Sequence, residues 1–240
     1  DKHVLITMLQ TGQQVLGVCG TSDGLFAHAR KNCLFIDCST IDVQSARQVH
    51  DLATTHGLLG VDAPVSGGVA GAAAGTLTFM VGGDEPAFAK AQVILSAMGQ
   101  RIIHTGPAGS GEAAKICNNM ILGISMIAIS EAFVLAKQLG LSEEKLFEVV
   151  NNASGQCWAM SKYAPVPGLL DGVPANKDYQ PGFAAAMMLK DLRLSQDCAQ
   201  SVAVETPLGE QTTKLYQAFV EQGHGQLDFS AIIKLLQHEA

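Results

Sequence analysis

The stretch GPAGSGEAAKICNNMILGISMIAISEAFVLAKQL, residues 106–139, decides the architecture. From Gly109 to Leu139 it holds no proline, its interior glycines are Gly111 and Gly123, and its apolar residues recur at helical spacing. It predicts one helix of about thirty residues, ~45 Å long at ~1.5 Å per residue. Gly140 suits the C-terminal cap of that helix, and Ser142, ahead of Glu143-Glu144-Lys145, suits the N-cap of the next.

Before this helix, short β-rich runs alternate with helical stretches. His3-Val4-Leu5-Ile6-Thr7-Met8-Leu9 is a continuous apolar run of strand length, as a buried parallel strand would be. A helical pattern starts near Gln13, Cys33-Leu34-Phe35-Ile36-Asp37-Cys38 reads as a second strand, and Thr40 to Thr55 as a helix. Leu59 to Ala63, Leu77 to Val81 and Arg101 to Thr105 read as further strands, with a helix from Ala87 to Met98. This alternation implies a parallel α/β sheet and admits an antiparallel edge. After Gly106 the strand patterns stop. A loop rich in proline and glycine covers Pro165 to Gly182, and helices resume from Phe183, broken near Thr206-Pro207 and at Gly223-His224-Gly225. The expected division is residues 1–107, α/β, and residues 108–240, all-helical.

Composition narrows the function. Apolar residues make up 48% of the 240 and charged residues 15%, which excludes intrinsic disorder. A net charge of −7 without any Lys/Arg-rich stretch argues against a nucleic-acid partner. The apolar run from Met120 to Leu135 carries Ser125, Ser130 and Glu131 and is shorter than the ~20 residues of a membrane span, so a buried helix is expected. The six cysteines form no CxxC pair, which suggests reduced thiols in an intracellular protein, and no HExxH or similar metal-binding spacing occurs.

Three segments carry candidate chemistry. Asp62-Ala63-Pro64-Val65-Ser66-Gly67-Gly68 follows a strand, where ligands bind in open α/β sheets. Its paired glycines leave backbone N–H groups open to a carboxylate, with the Ser66 hydroxyl as a further donor; a plain glycine turn accounts for the same residues. On the long helix, Lys115, Asn118 and Asn119 stand at i, i+3 and i+4, on one face. Apolar neighbours would lower the pKa of Lys115 and suit it to proton transfer, whereas a snorkelling lysine is the ordinary alternative. The asparagine pair tips the balance, because buried amides need polar partners. The third segment, Lys190-Asp191-Leu192-Arg193-Leu194, is by itself an ordinary charged helix face.

Taken in order, DAPVSGG (62–68), LTFMVGG (77–83), GxxGxGxAAKICNNM (106–120), SGQCW (154–158), PVPG (165–168) and KDLRL (190–194) resemble the β-hydroxyacid dehydrogenase family, in wording near its 3-hydroxyisobutyrate dehydrogenase branch. The resemblance implies part of a Rossmann domain joined by a long helix to an all-α domain. It implies oxidation of a short 3-hydroxy acid to its semialdehyde with NAD, NADP being left open, in the breakdown of valine. Lys115 would be the acid/base and Asn119 would orient it or the substrate. Ser66, Gly67, Gly68, Asn118 and Asp191 would contact the substrate; Leu9, Gln10, Gln14, Thr40 and Lys190 would contact the cofactor. Gln10 replaces a proline usual in relatives, and Gln14 an asparagine.

The family opens with a G-x-G-x-x-G turn that seats the pyrophosphate on a helix N-terminus. No such turn precedes His3, so the resemblance implies a chain without the first βαβ unit, binding dinucleotide weakly by itself and exposing an apolar sheet edge. GPAGSGE (106–112) follows the last strand of the domain and is not that fingerprint. The resemblance also implies homodimers or homotetramers packed through the helical domains, in the cytoplasm or, for a eukaryote, the mitochondrial matrix. Sister activities would be reduction of related semialdehydes or dehydrogenation of serine. A non-catalytic oligomerisation fragment is the contrasting reading.

Overall fold

The computed structural model describes residues 2–237. Two compact units divide between Cys117 and Asn118, inside the long helix.

The first unit is a mixed sheet flanked by helices. Strands β1 (Val4–Thr7), β2 (Leu34–Asp37) and β3 (Leu59–Asp62) run parallel, with Val4 opposite Leu34 and Leu34 opposite Leu59. The two-residue β4 (Val65–Ser66) pairs antiparallel with β5 (Leu77–Gly82), which meets β3 antiparallel through Asp62 and Gly82 and runs parallel to β6 (Gly99–Gly106). All four residues of β2 are buried, as befits a central strand covered on both faces. Phe35 packs into one cluster with Val15, Phe26 and Val49, while Leu34 and Ile36 join Val61, Phe79 and Leu95 in another. Among the described residues β1 pairs only with β2, and Ile6 and Met8 are exposed.

Helices α1 (Gly12–Cys19), α2 (Leu25–His28), α3 (Val43–Thr55), α4 (Gly68–Ala74) and α5 (Glu85–Leu95) complete this unit. Their ends follow capping chemistry. Helix α3 starts at Val43 and not at Thr40 because Asp42 accepts a hydrogen bond from the Ser45 N–H at 2.7 Å. Asp84 caps α5 in the same way and places Pro86 in its first turn, so that helix starts before Ala87 and ends at Leu95 rather than Met98. Strand β4 and helix α4 have no counterpart in the sequence reading: a two-residue strand has no periodicity to detect, and α4 is built of glycine, alanine and one valine.

Helix α6 (Ser110–Gln138) is the long helix expected from residues 109–139. By length and composition it could cross a membrane. Its Met126, Ile129 and Phe133 instead sit in the core of the second unit with Met160, Leu192, Tyr216 and Phe229. Ser142 caps α7 (Glu143–Asn151) by accepting from the Lys145 N–H. Helices α8 (Trp158–Tyr163), α9 (Ala185–Ser201), α10 (Pro207–Phe219) and α11 (Ile233–Leu236) follow. The proline- and glycine-rich loop contains a 3₁₀ turn at Pro174–Lys177, and the break expected at Gly223 is a π-type turn in which Gly223 has φ +91°. Asp228 organises this end of the unit. It is fully buried and accepts from the Tyr163 hydroxyl, from the N–H groups of Gly182 and Phe183, and from both the N–H and the hydroxyl of Ser230.

Candidate active site

In the first unit the chemistry gathers at the carboxyl ends of the parallel strands. Asp37 closes β2 and is almost fully buried. Its Oδ1 accepts from the Thr7 hydroxyl at 2.9 Å and from the Ser39 hydroxyl and N–H at 2.5 and 3.1 Å. The Ser39 hydroxyl in turn accepts from the Leu9 N–H at 2.8 Å. This chain of bonds ties the loop after β1, with Leu9 and Gln10, to the loop after β2, with Thr40. The Gln10 N–H donates to Oε1 of Gln14 at 3.0 Å, and the Gln14 N–H donates to the Thr11 hydroxyl that caps α1. Leu9, Gln10 and Gln14 line, with Met8, Gly17 and Val18, an open groove of about 530 Å³.

Ser66 stands at the end of β4, and Gly67 and Gly68 turn into α4 with φ +137° and +61°. A side chain at Gly67 would be strained by that φ and pressed against Leu77 at 3.0 Å. Both glycines are exposed, so their backbone is open to solvent.

The glycine-rich entry to α6 is already occupied. Asp62, from the end of β3, accepts from the Gly109 N–H at 2.8 Å and from the Glu112 N–H at 2.9 Å, and the Ser110 hydroxyl bonds that of Thr105 at 2.8 Å. An internal carboxylate thus sits where a phosphate would have to bind, which is the physical reason GPAGSGE is no phosphate loop. Burial pushes the pKa of Asp62 up, and the hydrogen bonds from Gly109 and Glu112 oppose that shift. One turn further on, Lys115 is 7% exposed.

In the second unit the predicted residues meet in one network. The Asn118 amide donates to Oδ1 of Asn119 at 3.0 Å, the Asn119 amide donates to Oδ2 of Asp191 at 2.5 Å, and Lys190 Nζ lies 3.6 Å from Oδ1 of Asp191. Asn119 and Asp191 are buried and Asn118 is exposed. No group of three or more His, Cys, Asp or Glu able to hold a metal ion is found among the described residues.

Sequence reasoning missed the supports. Asp37 and Asp62 were read only as parts of a strand or motif, and Ser39 was not singled out. A polar residue closing an otherwise apolar strand, as in Leu34-Phe35-Ile36-Asp37, was the available signal, because such a group must find buried partners.

Comparison with known proteins agrees with this layout. A family model described as NAD-binding of NADP-dependent 3-hydroxyisobutyrate dehydrogenase matches residues 109–236. A second, described as the NAD binding domain of 6-phosphogluconate dehydrogenase, matches residues 1–106. A probable 3-hydroxyisobutyrate dehydrogenase of Mycobacterium tuberculosis is 52% identical over 240 residues, which is 100% of this chain and 80% of that protein. The chain belongs to the 3-hydroxyisobutyrate dehydrogenase family. An NAD-dependent L-serine dehydrogenase of Pseudomonas aeruginosa is 47% identical over 232 residues, covering 97% of this chain and 78% of that one. The solved structure of the M. tuberculosis 3-hydroxyisobutyrate dehydrogenase with L-serine superposes with a TM-score of 0.93 at 51% identity, covering 98% of this chain and 79% of the other. As a member of the 3-hydroxyisobutyrate dehydrogenase family, the chain is an NAD(P)-dependent oxidoreductase of 3-hydroxy acids, with a Rossmann-like unit followed by an all-helical one.

Proposed function

We propose that this protein oxidises 3-hydroxyisobutyrate, or a close analogue with a primary alcohol beside a carboxylate-bearing carbon, to the semialdehyde with NAD, with Lys115 as the acid/base. The observation that carries the reading is the placement of a buried lysine on α6, with Asn119 four residues on locked by Asp191. Leu9, Gln10, Gln14 and Thr40, at the carboxyl ends of β1 and β2, and Lys190 on α9 would hold the nicotinamide cofactor. The bonded loops and open groove there suit a flat, polar-edged ring. When bound, the cofactor supplies the hydride acceptor for the carbinol carbon.

The protein's own residues do the rest. The neutral amine of Lys115 accepts the hydroxyl proton as the carbonyl forms, and the resulting ammonium returns it in the reverse direction. The N–H groups of Gly67 and Gly68 and the hydroxyl of Ser66 donate to the substrate carboxylate. Asn118, Asn119 and Asp191 orient the substrate alcohol and the lysine, so that the reacting atoms are held in line before reaction. In metabolism this reaction serves valine breakdown, in the cytoplasm or a mitochondrial matrix.

A second reading, L-serine as substrate, is favoured by the serine dehydrogenase relative and by the neighbour solved with L-serine. The two acids share the hydroxymethyl and carboxylate groups and differ at the substituent on C2. Initial rates of oxidation of 3-hydroxyisobutyrate and L-serine with NAD and NADP, and of the reverse semialdehyde reduction with NADH and NADPH, separate them by kcat/KM. In Lys115→Ala, kcat should fall by about 10³-fold or more; turnover persisting near the parent rate would refute the acid/base role. We also propose association into dimers or tetramers through the exposed Ile121 and Leu135 of α6 and Leu139 just beyond its end, which light scattering on the purified chain would test.

A further inference from the structure

The reaction needs the amine on α6 to stand at a defined point relative to the strand ends of the first unit, yet the link from Lys115 to its own backbone is the most flexible of side chains. What holds the backbone there is unusual. The carboxyl end of the sheet and the first turn of α6 approach each other backbone to backbone. A Cβ on Gly111 would lie 2.4 Å from the Met80 carbonyl oxygen and 2.7 Å from that of Asp62, and a Cβ on Gly82 would lie 2.5 Å from Oδ1 of Asp62 and 2.8 Å from the Gly111 nitrogen. Into this contact Asp62 inserts its carboxylate, one oxygen on the Gly109 N–H and the other on the Glu112 N–H. Lys115 follows Glu112 by three residues and Gly111 by four, on the same helix face.

We infer that Asp62 is a positioning residue for the dehydrogenase reaction, clamping the first turn of α6 to the ends of β3 and β5 and thereby setting where the Lys115 amine stands. A carboxylate is the group this clamp requires. It presents two acceptors to two N–H donors and meets the positive end of the helix dipole with a negative charge. Asparagine offers one acceptor, and its NH₂ would face an N–H. The inference rests on reading Lys115 as the acid/base, and its test is arranged so that the two can fail separately.

The full chain, free of cofactor, is compared as the parent, Asp62→Asn, and Asp84→Ala, which removes an ordinary helix cap in the same unit. Mass spectrometry follows acylation of Lys115 by an amine-selective reagent across pH, together with hydrogen exchange of the Gly109 and Glu112 amides. In Asp62→Asn, Lys115 should acylate at least about tenfold faster, with a displaced pH midpoint and lost amide protection, while Asp84→Ala leaves Lys115 within about twofold of the parent. Unchanged Lys115 reactivity and midpoint in Asp62→Asn would overturn the inference. If the asparagine variant does not fold, Asp62→Ser, whose hydroxyl can accept from one of the two N–H groups, carries the same readouts.

Turnover closes the argument. Asp62→Asn alone should lower kcat by about 10–100-fold, and adding it to Lys115→Ala should change the residual rate by less than about twofold. Equal losses in both backgrounds would mean that Asp62 does not act through Lys115. If Lys115→Ala itself keeps the parent rate, the acid/base reading fails, while the labelling result still reports on the clamp.

Discussion

The side-chain amide of Asn119 donates to Oδ2 of Asp191 at 2.5 Å across 72 residues of chain, and both residues are buried. The bond joins α6 to α9 inside one unit and leaves Asn119 a single orientation, because its Oδ1 is also engaged, by the Asn118 amide.

Breaking that bond should therefore disturb catalysis more than folding. Asp191→Ala removes the acceptor from Asn119 and the ionic partner from Lys190. With 3-hydroxyisobutyrate, kcat is expected to drop by about 10–100-fold, the usual cost of a misplaced reacting group. Asp191→Asn, which keeps one oxygen acceptor, should recover part of the loss. Steady-state kinetics of the two variants decide the matter, and parent-like rates in the alanine variant would count against it.

Asp37 makes a pH prediction. Burial is the largest influence and pushes its pKa above the ordinary 3.8; the bonds from Ser39 and Thr7 pull it down, and the charge of Asp62 pushes it up again. A carboxyl group that titrates higher in the folded chain contributes stability below its unfolded pKa, and that contribution is lost as pH rises through the folded value. At neutral and alkaline pH the ionised Asp37 therefore costs stability. Asp37→Asn, whose Oδ1 can accept from the same three donors, should raise Tm at pH 8 by about 2–4 °C, or about 1 kcal/mol. The gain should shrink as pH falls toward 4. Thermal melts across that range test it, and a pH-independent loss would contradict it.

Two glycines in helices should answer alanine oppositely. In Gly17→Ala the new methyl meets nothing within 4 Å, so the variant should gain about 0.5–1 kcal/mol from helix propensity. In Gly111→Ala it would press on two carbonyl oxygens at 2.4 and 2.7 Å, neither of which belongs to a flexible side chain. A loss of about 3 kcal/mol or more is expected, at the upper end of the range for overpacking. Urea unfolding of the pair measures the difference, and similar midpoints would show that the sheet–helix contact yields easily.

Asp228 accepts five hydrogen bonds in the second unit, and Asp228→Ala would strand Tyr163, Ser230 and two backbone N–H groups at once. A loss of about 3–5 kcal/mol is expected, typical of breaking a buried charged network. Trp158, the single tryptophan, stacks on Tyr163 with ring centroids 5.3 Å apart, so its fluorescence reports directly on this region. An unfolding midpoint within error of the parent would refute the estimate.

Much of the architecture was legible in local order alone. The apolar run around Leu5, the buried Leu34-Phe35-Ile36 strand, the uninterrupted helix from Ser110 and the Ser142 cap all depend on residues a few positions apart, where the periods of helix and strand are set by backbone geometry. The candidate residues Lys115, Asn118 and Asn119 were legible for the same reason, since i, i+3 and i+4 share a face on any helix. Tertiary structure alone decided what they meet. Asp62 reaches the helix entry from 47 residues away, and Asp191 reaches Asn119 from 72. The short β4 exists only because β5 offers it an edge. Periodicity speaks for the backbone's own hydrogen bonds, which are satisfied locally. A buried carboxylate must instead find its donors wherever the packed chain brings them, and no local pattern encodes that partner.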